Sequence, residues 1–177
     1  MNLVVFGLGL AKLLFAVVVA GLGTIFAARL LKRLLDIRTD EAVQRGNVAV
    51  GVVKAAALIA LALLARAAVE ATFDAVDLTL QAPQVNPKHL GVLAIYAVAH
   101  LVLTLLVGIA LLVIAIFVFN RITPGVDEVA EVRQGNVAAG VVLGAVVVVV
   151  ALLAAPALEA ALNGLLPFPE LPGKFPS

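Results

Sequence analysis

Basic side chains lie within the long apolar segments of this 177-residue sequence, and three of them could do chemistry there. Lys12 and Lys54 place an ammonium group among apolar residues, while His100 can take up or release a proton near physiological pH. An ionisable group inside a membrane-spanning segment points to function by default. A purely structural role is the alternative to a functional one. A lysine can extend to the nearer membrane surface, and His100 can stay neutral beside a neighbour such as Thr104. The sequence leaves both interpretations open.

A repeated motif singles out polar residues at matched positions of the two halves. Residues 46–53 read GNVAVGVV and residues 135–142 read GNVAAGVV, which differ at one position and lie 89 residues apart. The same offset pairs Glu70 with Glu159, and we expect both to mark the external ends of their helices. The halves are therefore predicted to be tandem copies of one two-helix unit, related by an axis along the membrane normal.

The asparagines of this motif, Asn47 and Asn136, each open an apolar segment. Their amides could form a polar ring at the mouth of a conduction path, hydrogen-bond between helices, or cap a helix end. Small residues four apart, as in Gly140–Gly144 and Gly51–Ala55, favour close helix packing. The motif thus predicts either helix packing or a pore mouth at one set of residues: Gly46, Asn47, Gly51, Gly135, Asn136, Gly140 and Gly144.

Composition excludes several classes of function. Hydrophobic residues make up 64% of the chain and charged residues 13%, whereas soluble proteins are about half apolar and about a quarter charged. Cysteine is absent and serine occurs once, at Ser177, which excludes thiolate metal sites and cysteine or serine nucleophiles. A net charge of +1 offers no electrostatic surface for nucleic acid. We expect neither enzymatic activity, nor a cofactor, nor a bound metal.

Four apolar runs have the length, about 20 residues, that a membrane-spanning helix requires. They are Leu3–Ala28, Val48–Val69, Leu90–Phe119 and Val137–Leu158, and none of them contains an aspartate or glutamate. Such long runs are helices rather than barrel strands. The sequence therefore predicts an all-α, four-helix polytopic membrane protein made of two tandem two-span repeats. Its segments are a first repeat at 1–80, an external linker at 81–89, a second repeat at 90–166 and a proline-rich external tail at 167–177.

Basic residues predict the orientation of these helices. Connections on the cytoplasmic side of a membrane are enriched in lysine and arginine. The two connections, at 29–45 and 121–134, hold seven basic residues: Arg29, Lys32, Arg33, Arg38, Arg45, Arg121 and Arg133. The other side holds three: Arg66, Lys88 and Lys174. We therefore expect both connections in the cytoplasm and both termini on the external side.

The second connection carries the clearest resemblance to a known family. The stretch Thr123–Ala138 joins a Thr-Pro helix start, three acidic residues and Gly-Asn-Val-Ala, and a short helical turn is expected there. The first connection has Thr39-Asp40-Glu41 without the proline. With two hairpins of this kind, the chain resembles the YjfL-like bacterial inner-membrane family, a domain of unknown function (number 350). The resemblance implies a multi-pass protein of the bacterial inner membrane and implies no activity.

Two functions stay open at this stage. We predict a structural or interaction scaffold, with a link to membrane stress, whose connections at 29–45 and 121–134 bind a cytosolic protein. The alternative is a small homo-oligomeric channel or transporter, for which an anion or a lipid headgroup suits the lysines better than a metal cation. The lipid bilayer is a partner in either case. Self-association is also predicted, because four helices leave many faces free to pack.

Overall fold

Six helices make up the part of the protein that the structure describes. The computed structural model describes residues 3–34, 39–80, 87–122 and 127–165; the predicted tail and most of the linker lie outside these ranges. No strand occurs within them, in agreement with the all-α prediction. The helices are α1 (Leu3–Leu34), α2 (Thr39–Gln44), α3 (Val48–Leu80), α4 (Pro87–Ile122), α5 (Glu128–Gln134) and α6 (Val137–Asn163).

Four of these helices are long and apolar enough to cross a membrane. The spans are Gly9–Arg33 in α1, Val48–Asp77 in α3, Gly91–Phe119 in α4 and Val137–Asn163 in α6. The prediction of a four-helix, multi-pass membrane protein is therefore confirmed. One expectation is wrong: α3 continues ten residues beyond Glu70, so this glutamate does not mark the end of its helix.

Helix α3 lies at the centre of the bundle and packs against the three other long helices. It runs parallel to α6, since Ala49 lies beside Gly140 and Ala56 beside Gly144. It runs antiparallel to α4, because Thr72 contacts His100 and Leu61 lies beside Gly108. Helix α1 is also antiparallel to α3, with the side chain of Lys12 over the ring of Phe73. The long helices thus alternate in direction along the chain.

This alternation gives the bundle two distinct ends. Helices α2 and α5, with the first turns of α3 and α6, form what we call the short-helix end. Helix α1 begins and α6 ends at the opposite end. A core of buried apolar residues begins at the short-helix end and contains Leu31, Val50, Leu112, Phe119, Val132 and Leu143. Many other large apolar side chains on the long helices are exposed, as expected where lipid replaces water as the solvent.

The helix starts repeat along the chain in the same way as the motif. Helices α2 and α5 begin at Thr39 and Glu128, and helices α3 and α6 begin at Val48 and Val137. Both pairs of starts are 89 residues apart, the offset of the repeated motif. That the halves are copies related by an axis along the membrane normal stays a prediction.

Each short helix ends at a glycine with a positive φ angle. Gly46 has φ 82° and Gly135 has φ 93°, the left-handed conformation that closes a helix and that glycine adopts most readily. Asp127 caps the start of α5, where its Oδ1 accepts from the backbone N–H of Ala130 at 3.0 Å. The N-cap predicted at Thr123–Pro124 lies outside the described residues, so the cap of the described helix is Asp127.

Candidate functional site

Asn47 fastens the two halves together at the short-helix end. Its side-chain Oδ1 accepts from the backbone N–H of Val50 at 3.0 Å and so caps the start of α3. Its Nδ2 donates to the carbonyl oxygen of Arg133 at 3.0 Å, with Val132 O at 3.4 Å. Both carbonyls belong to the last turn of α5, where a helix runs out of internal donors, although Val132 O also accepts from the backbone N–H of Gly135 at 3.1 Å. One side chain therefore completes a helix start in the first half and a helix end in the second.

Asn136, at the matched position, makes no such link between the halves. Its Oδ1 caps α6 by accepting from the N–H groups of Ala138 and Ala139 at 3.1 and 3.3 Å. Its Nδ2 donates to Oε2 of Glu131 at 2.9 Å, within the same half. Asn136 is exposed, whereas Asn47 is partly buried. Of the three predicted roles, both asparagines cap a helix, and Asn47 also forms a hydrogen bond between helices.

Gly140 and Gly144 allow the backbones of α6 and α3 to approach closely. A Cβ atom on Gly140 would lie 2.8 Å from both Cα and O of Ala49. A Cβ atom on Gly144 would lie 3.1 Å from the Cβ of Ala56. At Gly51, in contrast, an added Cβ would meet nothing within 4 Å. Among the described residues, the close packing expected at Gly51–Ala55 is therefore absent, because this face of α3 points away from α6.

Lys54 reaches out of its helix to α2. Its ammonium forms a hydrogen-bonded ion pair with Oδ1 of Asp40. The hydrogen bond and the charge of Lys54 lower the pKa of the Asp40 carboxyl, and the charge of Lys32 lowers this pKa further. Lys54 thus extends towards the short-helix end, and its partner fixes the position of α2.

We expect the docking of α2 to depend on pH in one direction only. Because the folded-state pKa of Asp40 is lowered, the contribution of the ion pair is complete above the ordinary carboxylate pKa of about 3.9. It is lost as the pH falls through the lowered pKa, since protonated Asp40 carries no charge. Hydrogen exchange of the α2 amides will measure this loss. The quantity to compare is the ratio of amide protection in the wild type to amide protection in Asp40→Asn.

The ratio removes the intrinsic pH dependence of exchange from the comparison. The ratio should exceed one at pH 6, where the wild type is more protected. It should approach one at a pH low enough to protonate Asp40. Glu41→Gln is the control, because it alters the carboxylate next to Asp40 that pairs with Arg45. A ratio of one at pH 6 would contradict a docking role for the pair.

His100 lies at the centre of a buried polar cluster near the opposite end. It is 0% exposed, and its Nδ1 is 3.1 Å from Oγ1 of Thr72 on α3. The hydroxyl of Thr72 donates to the carbonyl oxygen of Ala68 at 2.7 Å, which assigns its single proton there. The expected companion, Thr104, is buried nearby, but it is not the hydrogen-bond partner of His100.

Three buried polar atoms in this region have no hydrogen-bond partner among the described residues. They are Nε2 of His100, Oγ1 of Thr104 and Oδ1 of Asn163. Thr104 follows His100 by one helical turn, so both side chains lie on the same face of α4. Unsatisfied polar atoms in such a position are usually bonded by ordered water.

Thr72→Val is expected to destabilise the bundle through the loss of this link between α3 and α4. Hydrogen bonds between helices in a membrane contribute about 0.6–1.7 kcal/mol, and we expect a loss of that size in the free energy of unfolding. The measurement is unfolding of the full chain in mixed micelles, followed by circular dichroism.

Thr24→Val is the control for this variant. The hydroxyl of Thr24 donates to the carbonyl oxygen of Ala20 four residues earlier at 2.8 Å, as Thr72 does to Ala68, but Thr24 is exposed. The control therefore removes the same local bond without the histidine contact. Equal losses in the two variants would contradict the assigned role of Thr72.

Lys12 and Glu70 lie together along the junction of α1 and α3. The ammonium of Lys12 is 5.7 Å from the centre of the Phe73 ring, a cation–π arrangement. Glu70 accepts from Nε of Arg66 at 2.8 Å, and the charge of Glu159 on α6 also acts on Arg66. The two matched glutamates are thus placed around one arginine. Both lie inside the spans of their helices, Val48–Asp77 and Val137–Asn163, contrary to the expectation of spans free of carboxylates.

Sequence reasoning missed three partners: Thr72 of His100, Asp40 of Lys54 and Phe73 of Lys12. Thr72 and Phe73 follow the apolar run that was taken as the second span. A helical continuation beyond Glu70 was the missing signal, since it places both residues beside α1 and α4.

Four long apolar helices with two short helices fastened at one end define a polytopic helical membrane protein. Residues 89–168 match the family model described as Domain of Unknown Function (DUF350), the family that the resemblance predicted. The match covers the second hairpin, and the likeness of residues 1–80 to the same family stays a prediction. Comparisons with curated proteins and with solved structures each found no match.

Proposed function

We propose that this protein is a non-enzymatic scaffold of the bacterial inner membrane that presents α2 and α5 to a cytosolic protein. The observation that carries the proposal is that side chains of α3 and of its N-cap residue hold both short helices in place. Asn47 holds the last turn of α5, and Lys54 holds Asp40 of α2. Helices of six and seven residues are not stable alone, so these bonds supply the order that a docking surface needs.

The surface offered by the short helices combines both charges with one exposed apolar residue. Arg45 and Glu41 are within 3.9 Å of each other on the exposed side of the first connection, beside exposed Val43. On α5, Val129 and Val132 are buried against the core, which turns Arg133 and Gln134 outward. The proposed orientation, with this end in the cytoplasm, rests on the basic residues of the connections.

Photo-crosslinking in cells tests the proposal. A crosslinking residue at Arg45 or Gln134 is expected to capture one defined cytosolic protein, and the same residue at exposed Leu165, at the opposite end, is expected to capture none of it. Asn47→Ala should weaken the capture at Gln134 because it releases α5. Capture that is equal at all three positions would contradict a docking surface at the short-helix end.

The alternative is a homo-oligomeric channel or transporter. The buried polar cluster favours it, because His100 and Thr104 retain unsatisfied atoms inside the bundle. Thr72, which belongs to this cluster, follows Asn47 by 25 residues on α3, about 37 Å, with apolar core between them. A path through one chain would have to cross that core, so a channel would need an interface between copies.

Flux into liposomes that contain the purified full chain separates the two functions. The scaffold predicts no ion-selective flux. Flux that is abolished by Asn47→Leu together with Asn136→Leu would overturn it in favour of a channel. Crosslinking in native membranes tests self-association directly, and a channel between copies requires a crosslinked oligomer.

A further inference from the structure

A groove of about 390 Å³ runs between α1 and α3 on the lipid-facing side of the bundle. Its walls are small or aliphatic, with Ala16 and Ala20 on α1 and Leu61 and Ala62 on α3. Lys12, Arg66 and Glu70 line it towards the opposite end. Its volume lies within the range of about 300–1,000 Å³ that is typical of small-molecule sites.

The groove has the length of one leaflet of a bilayer. On α3 it extends from Leu58 to Glu70, which are ten and 22 residues after Val48. At a rise of about 1.5 Å per residue, these positions lie about 15 and 33 Å from the start of the helix. A hydrocarbon core of about 30 Å that begins at Val48 would place Leu58 at its middle and Glu70 at its far edge.

The ammonium of Lys12 lies just beyond that edge. It stands over Phe73, 25 residues or about 37 Å after Val48, and therefore at the level of the lipid headgroups. No carboxylate pairs with it among the described residues, and it contacts the ring of Phe73. An ammonium in this position attracts an anion.

The charges around the groove sum to a net positive lining. Arg66 is 74% exposed, and its Nε is bonded to Glu70, which leaves the terminal N–H groups of the guanidinium available. Glu159 on α6 opposes Arg66 without lining the groove. Among the lining residues, two cations and one carboxylate leave one positive charge.

We propose that this groove binds one anionic glycerophospholipid, with its phosphate at Lys12 and an acyl chain along the alanine-lined walls. The groove combines a cation at headgroup depth with apolar walls one leaflet long, and a phospholipid would use both. A free anion would use only the cation, and a second copy of the chain would use only the apolar walls. The lipid would fill the space that α1 leaves beside α3.

Native mass spectrometry of the full chain tests the proposal by titration with phosphatidylglycerol and phosphatidylcholine of the same acyl chains. Phosphatidylglycerol is expected to bind about fivefold more tightly, since one net basic charge contributes about 1 kcal/mol. Lys12→Gln should abolish the preference, and Lys12→Arg should keep it. Arg121→Gln, which removes another cation placed over a phenylalanine ring, should leave the preference unchanged.

Filling the groove tests the acyl-chain site separately. Ala62→Leu should weaken both lipids by a similar factor, while Ala55→Leu, at an exposed position of α3 outside the groove, should weaken neither. Circular dichroism of each variant will establish that the helices are intact.

Three outcomes would overturn the proposal. Equal binding of the two lipids by the wild type would contradict a preference for an anionic lipid at Lys12. Glycerol phosphate that binds as tightly as the lipid would assign a free-anion site. Ala62→Leu that changes the dimer fraction while lipid binding is unchanged would assign the groove to a second copy.

Discussion

Gly140→Ala is expected to lower the free energy of unfolding by about 1–3 kcal/mol, the usual cost of inserting a methyl group into a packed core. The new Cβ would lie 2.8 Å from the Cα and carbonyl oxygen of Ala49, so the backbones of α3 and α6 must separate. A side chain could rotate away, but a backbone cannot. Unfolding of the full chain in mixed micelles measures the change.

Gly51→Ala is the matched control, because Gly51 holds the same position in the other copy of the motif. Its new Cβ would meet nothing within 4 Å, and alanine is favoured over glycine inside a helix by about 0.5–1 kcal/mol. The control is therefore expected to be neutral or slightly stabilising. Similar losses at the two glycines would contradict the packing of α6 on α3 described above.

Asn47→Ala is expected to destabilise the protein by about 1–3 kcal/mol, more than Asn136→Ala at about 1 kcal/mol. Both variants lose an N-cap, but only Asn47→Ala also removes the donor to the carbonyl groups that end α5. Exchange of the α5 amides should be about tenfold faster in Asn47→Ala than in Asn136→Ala, which corresponds to about 1.4 kcal/mol.

The two asparagines are each other's control, since the same substitution is made at matched positions of one motif. Equal acceleration of exchange in α5 would show that Asn47 acts only as a cap. Faster exchange in Asn136→Ala would contradict the bond of Asn47 to Arg133.

The sequence was sufficient to predict the membrane-spanning helices, because length and hydropathy are properties of a segment by itself. It was also sufficient to place Gly46 and Gly135 in a repeated motif, which the structure uses to end α2 and α5. The contacts between segments cannot be predicted in this way, because they depend on how distant parts of the chain pack together. The motif around Gly51 and Gly140 is nearly identical, yet one glycine meets a backbone and the other meets open space.

The same limit applies to the polar partners. His100 and Thr72 are 28 residues apart and Asn47 and Arg133 are 86 apart, so their pairing depends on how α3 lies against α4 and α5. The end of α3 was predicted too early because Arg66 and Glu70 were taken as a boundary. As an i,i+4 ion pair, they instead support the helix that continues through them.

The unequal use of the two asparagines ties the halves into a single polypeptide. If each half had kept its own polar groups satisfied, the gene could be divided into two shorter chains that assemble like a dimer. Here Asn47 of the first half donates to a carbonyl at the end of α5 in the second half. Asn136 donates to Glu131 within its own half. Division or exchange of the halves would therefore remove the side-chain donor of Asn47 from the carbonyl oxygen of Arg133.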